Sequence, residues 1–310
     1  MKTNRHKFIW LFVSLLAIQA PSFGQNKQLE KGFKSIFNGT SLQGWEGDPT
    51  YWRVENGSII GEITPQTILK RNTFLIYRDS QPADFELKAE FKISKGGNTG
   101  INYRSEELLP DLPFALKGYQ ADIDGEIRYT GQNYEERGRT TLAYRGEIVS
   151  VHEQTDAAMK TNLRAFSQNN AWLPRTVNGS LGNIDSLKTS IKSEDWNEVH
   201  LVIKGKRLQH FVNGILMSDV TDLDQVNGKA SGWLGVQVHV GPPMKVEFKN
   251  TFFESVKDLI WHETKLWKVW AFIVRGIPNF FGNIWKFRKE LYAFSKNKDR
   301  VKVIVTENND

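Results

Sequence analysis

The stretch DFELKAEFKI (residues 84–93) alternates apolar and charged side chains without a break. Its apolar residues fall on one face of an extended strand, namely Phe85, Leu87, Ala89, Phe91 and Ile93. Its Lys and Glu residues fall on the other face. This strict period of two is typical of an antiparallel strand with one face in a core and one in water. The stretch therefore predicts a β-sheet that packs on one side.

The same pattern continues on both sides of this stretch, as short strands separated by Gly, Asn, Asp and Pro. YWRVENGSIIGE (51–62) and RLQHFVNGILM (207–217) each place an Asn-Gly pair between apolar runs, which predicts tight hairpins. Many strands with few helical periods predict an all-β sandwich or jelly roll of antiparallel sheets. Residues 140–195 are the exception, and we expect a long excursion with short helices that walls one side of a cleft.

Composition excludes several kinds of function. The chain has no Cys, so disulfides, thiolate metal sites and cysteine nucleophiles are excluded. No GxSxG, Walker A or GxGxxG motif is present, which leaves serine hydrolase, nucleotidase and Rossmann interpretations without support. The 10 Trp residues fit either carbohydrate contact or the filling of a large β core.

The first residues predict export. MKTNRHKFIWLFVSLLAIQAPSFGQ has a basic start, an apolar run from Phe8 to Ala20, and small residues at Ser22 and Gly24. This is the pattern of a Sec signal peptide, here residues 1–24, and the apolar run is too short for a stable membrane span. No lipobox Cys follows, so we predict a periplasmic or secreted protein whose β-domain covers residues 25–256.

The net charge of +6 comes from the two ends of the chain. Residues 1–25 and 256–310 are both basic, which leaves the residues between them mildly acidic and without a nucleic-acid footprint. Residues 257–310 read as a helical tail rich in Trp, Lys and Arg, with no uninterrupted apolar run long enough to span a bilayer. This tail suits contact with a membrane surface, or alternatively packing on the sandwich or on a second copy.

GYQADID (118–124) places Gln120, Asp122 and Asp124 on the polar face of an otherwise apolar strand. Asp is a poor strand former, so this face is better explained by a ligand than by water. Gln237 and His239 in WLGVQVHVGPP (233–243) share a polar face in the same way. If the strands that carry these residues are neighbours, together with the one that carries Asn102 and Arg104, they line one surface.

Other polar residues have simpler explanations that stay open. Glu90 fits a solvated face, His210 fits packing beside a hairpin, and TGQNYEERGRTTL (130–142) fits a loop with internal salt bridges. Asp122, Asp124 and Glu126 resemble the start of a calcium loop, but the remaining ligands do not follow. We therefore predict no cofactor; a divalent metal would fit the chemistry below, but nothing requires it.

Seven stretches, in order, resemble the 3-keto-disaccharide hydrolase domain family. They are FKSIFNGTSLQGWEG, YWRVENGSIIGE, DFELKAEFKISKGGNTGINYRSE, GYQADIDG, YEERGRTTLAYRGE, DWNEVHLVIKGKRLQHFVNG and LGVQVHVGPPMKVEFKN, within residues 33–256. The resemblance implies a concanavalin A-like lectin/glucanase sandwich with a sugar groove on one concave sheet. It does not extend to the tail. The positions within these motifs are Glu90, Asn98, Asn102, Arg104, Gln120, Asp122, Asp124, Glu136, Arg139, His210, Gln237 and His239.

The chemistry that the resemblance implies is cleavage of 3-keto-glycosides by removal of the C2 proton, elimination and hydration. We expect Asp124 or His239 as the base and Asp122 or Glu90 as the acid. Donors to the C3 oxygen would come from Arg104, Asn102 or Gln237, and the other motif positions (Asn98, Gln120, Glu136, Arg139 and His210) would bind substrate. Direct hydrolysis by two carboxylates, a non-catalytic carbohydrate-binding module and a tail-anchored surface protein stay open as alternatives.

Overall fold

The computed structural model describes residues 30, 32–155 and 162–255. The strands are β1 (Lys34–Ser35), β2 (Trp45–Glu46), β3 (Trp52–Glu55), β4 (Ser58–Ile63), β5 (Thr73–Tyr77), β6 (Phe85–Ile93), β7 (Asn98–Glu107), β8 (Leu116–Asp124), β9 (Asn133–Glu136), β10 (Thr140–Ala143), β11 (Glu147–Val151), β12 (Ser167–Gln168), β13 (Ala171–Trp172), β14 (Arg175–Ser180), β15 (Asn197–Lys204), β16 (Arg207–Val212), β17 (Ile215–Asp222), β18 (Trp233–Val238) and β19 (Met244–Ser255). A 3₁₀ turn covers Leu163–Phe166, and the single α-helix of the described residues, α1, covers Ile184–Thr189.

These strands form two large sheets. One has ten strands in the order β14-β11-β17-β16-β15-β6-β19-β4-β3, with β1 also paired to β19. The other has nine strands in the order β12-β13-β10-β9-β8-β7-β18-β5-β2. Within the described part of the chain, β10–β13 and β11–β17 run parallel and the other pairs run antiparallel. The predicted all-β sandwich is confirmed.

The core lies between the sheets and is built from the alternating residues that the sequence singles out. The apolar face of β6 is buried, as predicted from the stretch 84–93, and its charged face is half-buried on the outside of the ten-stranded sheet. Tyr119, Ala121 and Ile123 of β8 join the same core. Because successive side chains alternate, Gln120, Asp122 and Asp124 point to the opposite face of the nine-stranded sheet.

Both predicted Asn-Gly hairpins are present. Asn56 and Gly57 have φ values of 50° and 76° between β3 and β4, and Asn213 and Gly214 have values of 50° and 78° between β16 and β17. Two successive positive φ angles match the right-handed twist of the flanking strands.

The expected excursion at 140–195 differs from the prediction. Five strands, β10 to β14, lie in this region, and they extend both sheets. Of the predicted short helices, one α-helix is present among the described residues, α1, where the Asn183 side chain caps the backbone amides of Asp185 and Ser186. The sequence pattern does not reveal β10 to β14 because these strands are two to six residues long, too short to display a clear period.

Among the described residues, no helix has the length and apolar composition needed to cross a membrane. The predicted signal peptide and the predicted tail at 257–310 lie outside the described residues.

Candidate functional site

The outer face of the nine-stranded sheet, which points away from the ten-stranded sheet, collects most of the predicted polar residues. The strands β9, β8, β7 and β18 are consecutive neighbours in this sheet, as the predicted shared surface requires. Asn102 pairs with Gln120 across β7 and β8, and with Gly235, two residues before Gln237, across β7 and β18. A row of amide side chains therefore crosses three adjacent strands.

Asp122 is the acid at the centre of this face. Gln120 Nε2 donates to its Oδ1 and Gln132 Nε2 donates to its Oδ2, both at 2.5 Å. Burial raises the pKa of Asp122 to about 7, although the two amide donors lower it and the neighbouring carboxylates of Glu136 and Asp124 add to the rise. A carboxyl group with this pKa can both hold and release a proton near neutral pH.

The amides beside Asp122 are buried with hydrogen-bonding capacity to spare. Asn102 is 0% exposed and Gln237 is 0% exposed, yet both polar atoms of each side chain lack a partner among the described residues. The Oε1 atom of Gln120 is also unpartnered among them. Gly100 leaves room for the Gln120 side chain, since a Cβ there would lie 2.6 Å from it. Five amide atoms on this face thus have hydrogen-bonding capacity that a water or a polar ligand could use.

Glu136, on β9, lies at one side of this face. Asn72 Nδ2 donates to Glu136 Oε1 at 3.0 Å, while Asn72 Oδ1 accepts the backbone N–H of Val240 at 2.9 Å. Tyr134 lies two residues before Glu136 on β9, opposite Gln120. Burial, followed by the negative charge of Glu136, raises the pKa of Tyr134 to about 12, so the phenol stays protonated and can donate a hydrogen bond.

Asp124, Asn98 and His239 lie at the end of the three central strands. The Asp124 carboxylate accepts backbone N–H groups of residues 128–130 at 2.7–3.0 Å, so it fastens the turn after β8. The backbone N–H of His239 donates to the Asn98 carbonyl, and the ring Nδ1 of His239 lies 2.7 Å from the Val240 carbonyl. Because a carbonyl oxygen only accepts, this contact puts the ring proton on Nδ1 and leaves Nε2 able to take up a proton.

Glu90 does not belong to this group, which corrects the predicted grouping. It lies on β6 in the ten-stranded sheet, where it accepts from Asn250 Nδ2 at 3.1 Å and lies 3.7 Å from Lys249 Nζ. The hydrophobic core separates it from Asp122. The alternation in the sequence identified its face correctly but contains no information about which sheet the strand joins.

Arg104 and Arg139 were also expected on the ligand face, and both are turned away from it. A bulge follows Tyr103, where Arg104 adopts a φ of 46°, and its guanidinium bonds Asp84 and the carbonyls of Ala83 and Gly205. Arg139 is 0% exposed between the sheets. It bonds three carboxylates there, those of Glu135, Asp222 and Asp224.

His210 is buried in the core on β16. Its Nε2 lies 2.8 Å from the Tyr103 hydroxyl, and its Nδ1 lies 3.3 Å from the Gln132 carbonyl. Burial lowers the pKa of His210 to about 4, so the imidazole is neutral near pH 7. His210 lies in the core between the sheets and not on the outer face with Asp122.

The structure adds residues that the sequence interpretation missed, namely Asn72, Gln132 and Tyr134. Tyr134 could have been found, because it alternates with Glu136 in NYEE. Gln132 and Asn72 could not have been found, because each lies outside a clear strand period. Gln132 reaches Asp122 across a turn, and Asn72 contacts Glu136, which lies 64 residues further along the chain. No group of three His, Asp or Glu side chains that could hold a metal occurs in the described ranges.

Comparison with known proteins adds a family and several relatives. Residues 32–254 match the family described as 3-keto-alpha-glucoside-1,2-lyase-like domain. A stretch of 84 residues is 34% identical to a 3-keto-disaccharide hydrolase of Bacteroides thetaiotaomicron. This match covers 25% of this chain and 29% of the relative.

Solved structures give more distant likenesses. A protein of Parabacteroides distasonis, provisionally described as a glycosyl hydrolase, is 19% identical with a TM-score of 0.45; the match covers 74% of this chain and 98% of that one. The carbohydrate binding module CBM66 of Bacillus subtilis is 15% identical with a TM-score of 0.41, covering 72% and 100%.

Proposed function

Since this chain belongs to the family of 3-keto-alpha-glucoside-1,2-lyase-like domains, we propose that it is an enzyme that cleaves glycosides carrying a ketone at C3. One observation carries the proposal: a carboxyl group with a pKa of about 7 lies on the same face as buried amide atoms that have no partner among the described residues. Sugar hydroxyls and a ketone oxygen are the groups that would satisfy such amides, since hydroxyls donate and accept and a ketone accepts.

The proposed reaction is elimination followed by hydration. The C3 ketone acidifies the C2 hydrogen, which a base removes as a proton while the electron pair moves to the C3 oxygen. The resulting enolate expels the C1 glycosidic oxygen, which takes a proton from an acid. Water then adds across the C1–C2 double bond, and the products are a 3-keto sugar and the released alcohol.

Three groups of this chain suit the three tasks. Asp122 is the acid at the leaving oxygen, because its raised pKa keeps a fraction protonated at neutral pH. His239 is the base at C2, because its Nδ1–H is held by the Val240 carbonyl and its Nε2 can accept a proton. Asn102 Nδ2 and Gln237 Nε2 donate to the C3 oxygen as negative charge develops there.

The remaining predictions stay proposals of the same kind. Glu136, held by Asn72, binds substrate hydroxyls at the side of the face. Three further proposals concern segments or ions outside the described structure. They are export through residues 1–24, contact of residues 257–310 with a membrane surface, and activity without a metal. Washing membranes that carry the full chain or a chain ended at residue 256 would test the membrane contact.

The direct experiment incubates the purified full-length chain with a 3-keto-disaccharide and, separately, with its unoxidised parent in deuterated water. We expect release of monosaccharide from the keto compound only, with deuterium incorporated at C2, and loss of release in Asp122→Asn and His239→Ala. Cleavage of both compounds without deuterium at C2 would instead indicate hydrolysis by two carboxylates. Binding of the keto compound without cleavage would indicate a carbohydrate-binding module and refute the enzyme.

A further inference from the structure

A series of contacts links His210, on β16 of the ten-stranded sheet, to Asp122 on the outer face of the nine-stranded sheet. Tyr103 Oη lies 2.8 Å from His210 Nε2, His210 Nδ1 lies 3.3 Å from the Gln132 carbonyl, and Gln132 Nε2 lies 2.5 Å from Asp122 Oδ2. We propose that His210 is a positioning residue that acts on the Asp122 carboxyl through Gln132. The proposal rests on the role given to Asp122 above, but it concerns a property of Asp122 that exists without substrate.

The partners of His210 determine which ring nitrogen carries the proton. The Gln132 carbonyl can only accept, so Nδ1 donates to it. Nε2 then accepts from the Tyr103 hydroxyl, and Asn133 Nδ2 lies 3.2 Å from that hydroxyl and 3.4 Å from Nε2. Asp219, from the neighbouring strand β17, favours the charged ring, but burial outweighs it and lowers the pKa of His210 to about 4. The ring is therefore a neutral, fixed donor.

This donor holds the corner between β8 and β9. The Gln132 carbonyl also accepts the backbone N–H of Asp122 at 3.3 Å, and the Asp122 carbonyl accepts the N–H of Gly131 at 3.1 Å. His210 thus reaches from β16 to the backbone of the residue whose side chain bonds Asp122. If that contact is lost, the Gln132 amide is less well aligned with the Asp122 carboxylate.

The charge of Asp122 is sensitive to this alignment because the neighbouring carboxylates of Glu136 and Asp124 oppose its ionisation. Glu136 and Tyr134 face it from β9, and Asp124 precedes the same turn on its own strand. Gln120 and Gln132 donate to it and favour the carboxylate. Arg164 reaches Tyr134 rather than Asp122. Weakening the Gln132 bond should therefore raise the pKa of Asp122.

The test is a carbon-13 NMR titration of the Asp122 carboxyl in the full-length chain, without substrate. His210→Asn keeps an amide N–H near the position of Nδ1, whereas His210→Gln places its amide near Nε2 and abandons the Gln132 carbonyl. We expect His210→Gln and Gln132→Met each to raise the pKa of Asp122 by about one unit, and His210→Asn to leave it within about 0.3 of the wild type. His200→Gln, on the outer face of the same sheet beside Glu86, is the matched control and should cause no change.

Equal values of the Asp122 pKa in His210→Gln and His210→Asn would overturn the proposal, because a role in packing alone would not distinguish them. An unchanged pKa in Gln132→Met would overturn it as well. If His210→Gln does not fold, nitrogen-15 NMR of the wild-type ring decides: a proton on Nδ1 supports the proposal, and a proton on Nε2 refutes it. Since no readout uses turnover, failure here is distinguishable from failure of the proposed enzymatic function.

Discussion

The two faces of the nine-stranded sheet both bury polar groups, and the described residues pair the charged groups of the inner face but leave two amides of the outer face without partners. On the inner face, Arg139 is surrounded by Glu135, Asp222 and Asp224, and the Tyr119 hydroxyl donates to Asp222 at 2.5 Å. On the outer face, Asn102 and Gln237 are as deeply buried but have no partner among the described residues. A buried polar group without a partner costs about 1–3 kcal/mol, so these amides call for a partner beyond the described residues, such as a water or a ligand.

The two groups of ionisable residues also differ in the direction of their pKa shifts. Burial alone would lower the pKa of Arg139, but the carboxylates of Glu135 and Asp222 raise it well above its ordinary value. Asp122 has the reverse balance, since burial outweighs its amide donors and raises its pKa to about 7. Its partners thus hold Arg139 in the charged form, whereas the Asp122 carboxyl gains and loses its proton near neutral pH.

The largest expected effect is on turnover. Asp122→Asn removes the proposed acid and should lower kcat for a 3-keto-disaccharide by about 10³-fold, with a smaller effect on KM. Circular dichroism should show a folded protein. Steady-state kinetics with kcat within tenfold of the wild type would mean that the outer face contributes no proton transfer.

The inner face should respond in stability rather than in chemistry. Arg139→Met leaves three buried carboxylates without their cation and should lower the free energy of unfolding by about 3–5 kcal/mol. Urea denaturation measures this, and Arg53→Met is the control, because that pair is exposed and should contribute less than about 1 kcal/mol. A loss for Arg139→Met as small as that of the control would remove the distinction between the two faces.

The pH dependence of stability sharpens the contrast further. The pKa of Asp122 is about 7 in the folded chain against an ordinary value of 3.8, so the folded state retains its proton to higher pH than the unfolded state does. This contribution to stability is complete below pH 4 and is lost as the pH rises through about 7. Asp122→Asn should therefore gain stability relative to the wild type between pH 4 and pH 8, by about 4 kcal/mol. Parallel unfolding curves for the two proteins across this range would contradict the shift.

The amides should affect affinity more than stability. Gln237→Met keeps the length of the side chain but removes its N–H and C=O groups, so KM for the keto sugar should rise about tenfold while the melting temperature stays equal or increases. Thermal unfolding and kinetics on one preparation test both parts. A lower melting temperature would indicate that Gln237 has a structural partner after all.

The smallest effect is expected at Glu90, on the other sheet. Glu90→Gln should leave turnover within twofold of the wild type, because the hydrophobic core separates it from the outer face. A large loss of kcat in the same assay would place the site on the ten-stranded sheet.

Much of the fold was accessible from the sequence because strand alternation is a local signal. The faces of β6 and β8 and the turns at Asn56 and Asn213 follow from neighbouring residues alone. Tertiary arrangement was not accessible. Glu90 was grouped with Asp122 because the sequence does not reveal which sheet a strand joins, and the bulge that turns Arg104 away depends on pairing with β8. Asn72 bonds Glu136, 64 residues away in the chain, and Val240, 168 residues away, and no local sequence pattern predicts such contacts.

We propose that the outer face, where Asn102 and Gln237 have no partner among the described residues, receives the substrate. The most direct test of this proposal is NMR of the side-chain amide groups in the full-length Asp122→Asn variant as a 3-keto-disaccharide is added. The account predicts that the signals of Asn102 and Gln237 shift in a saturable way while the Arg139 Nε signal stays in place. Saturable shifts at Arg139 with unchanged amide signals would locate the sugar on the inner side of the sheet and contradict the account.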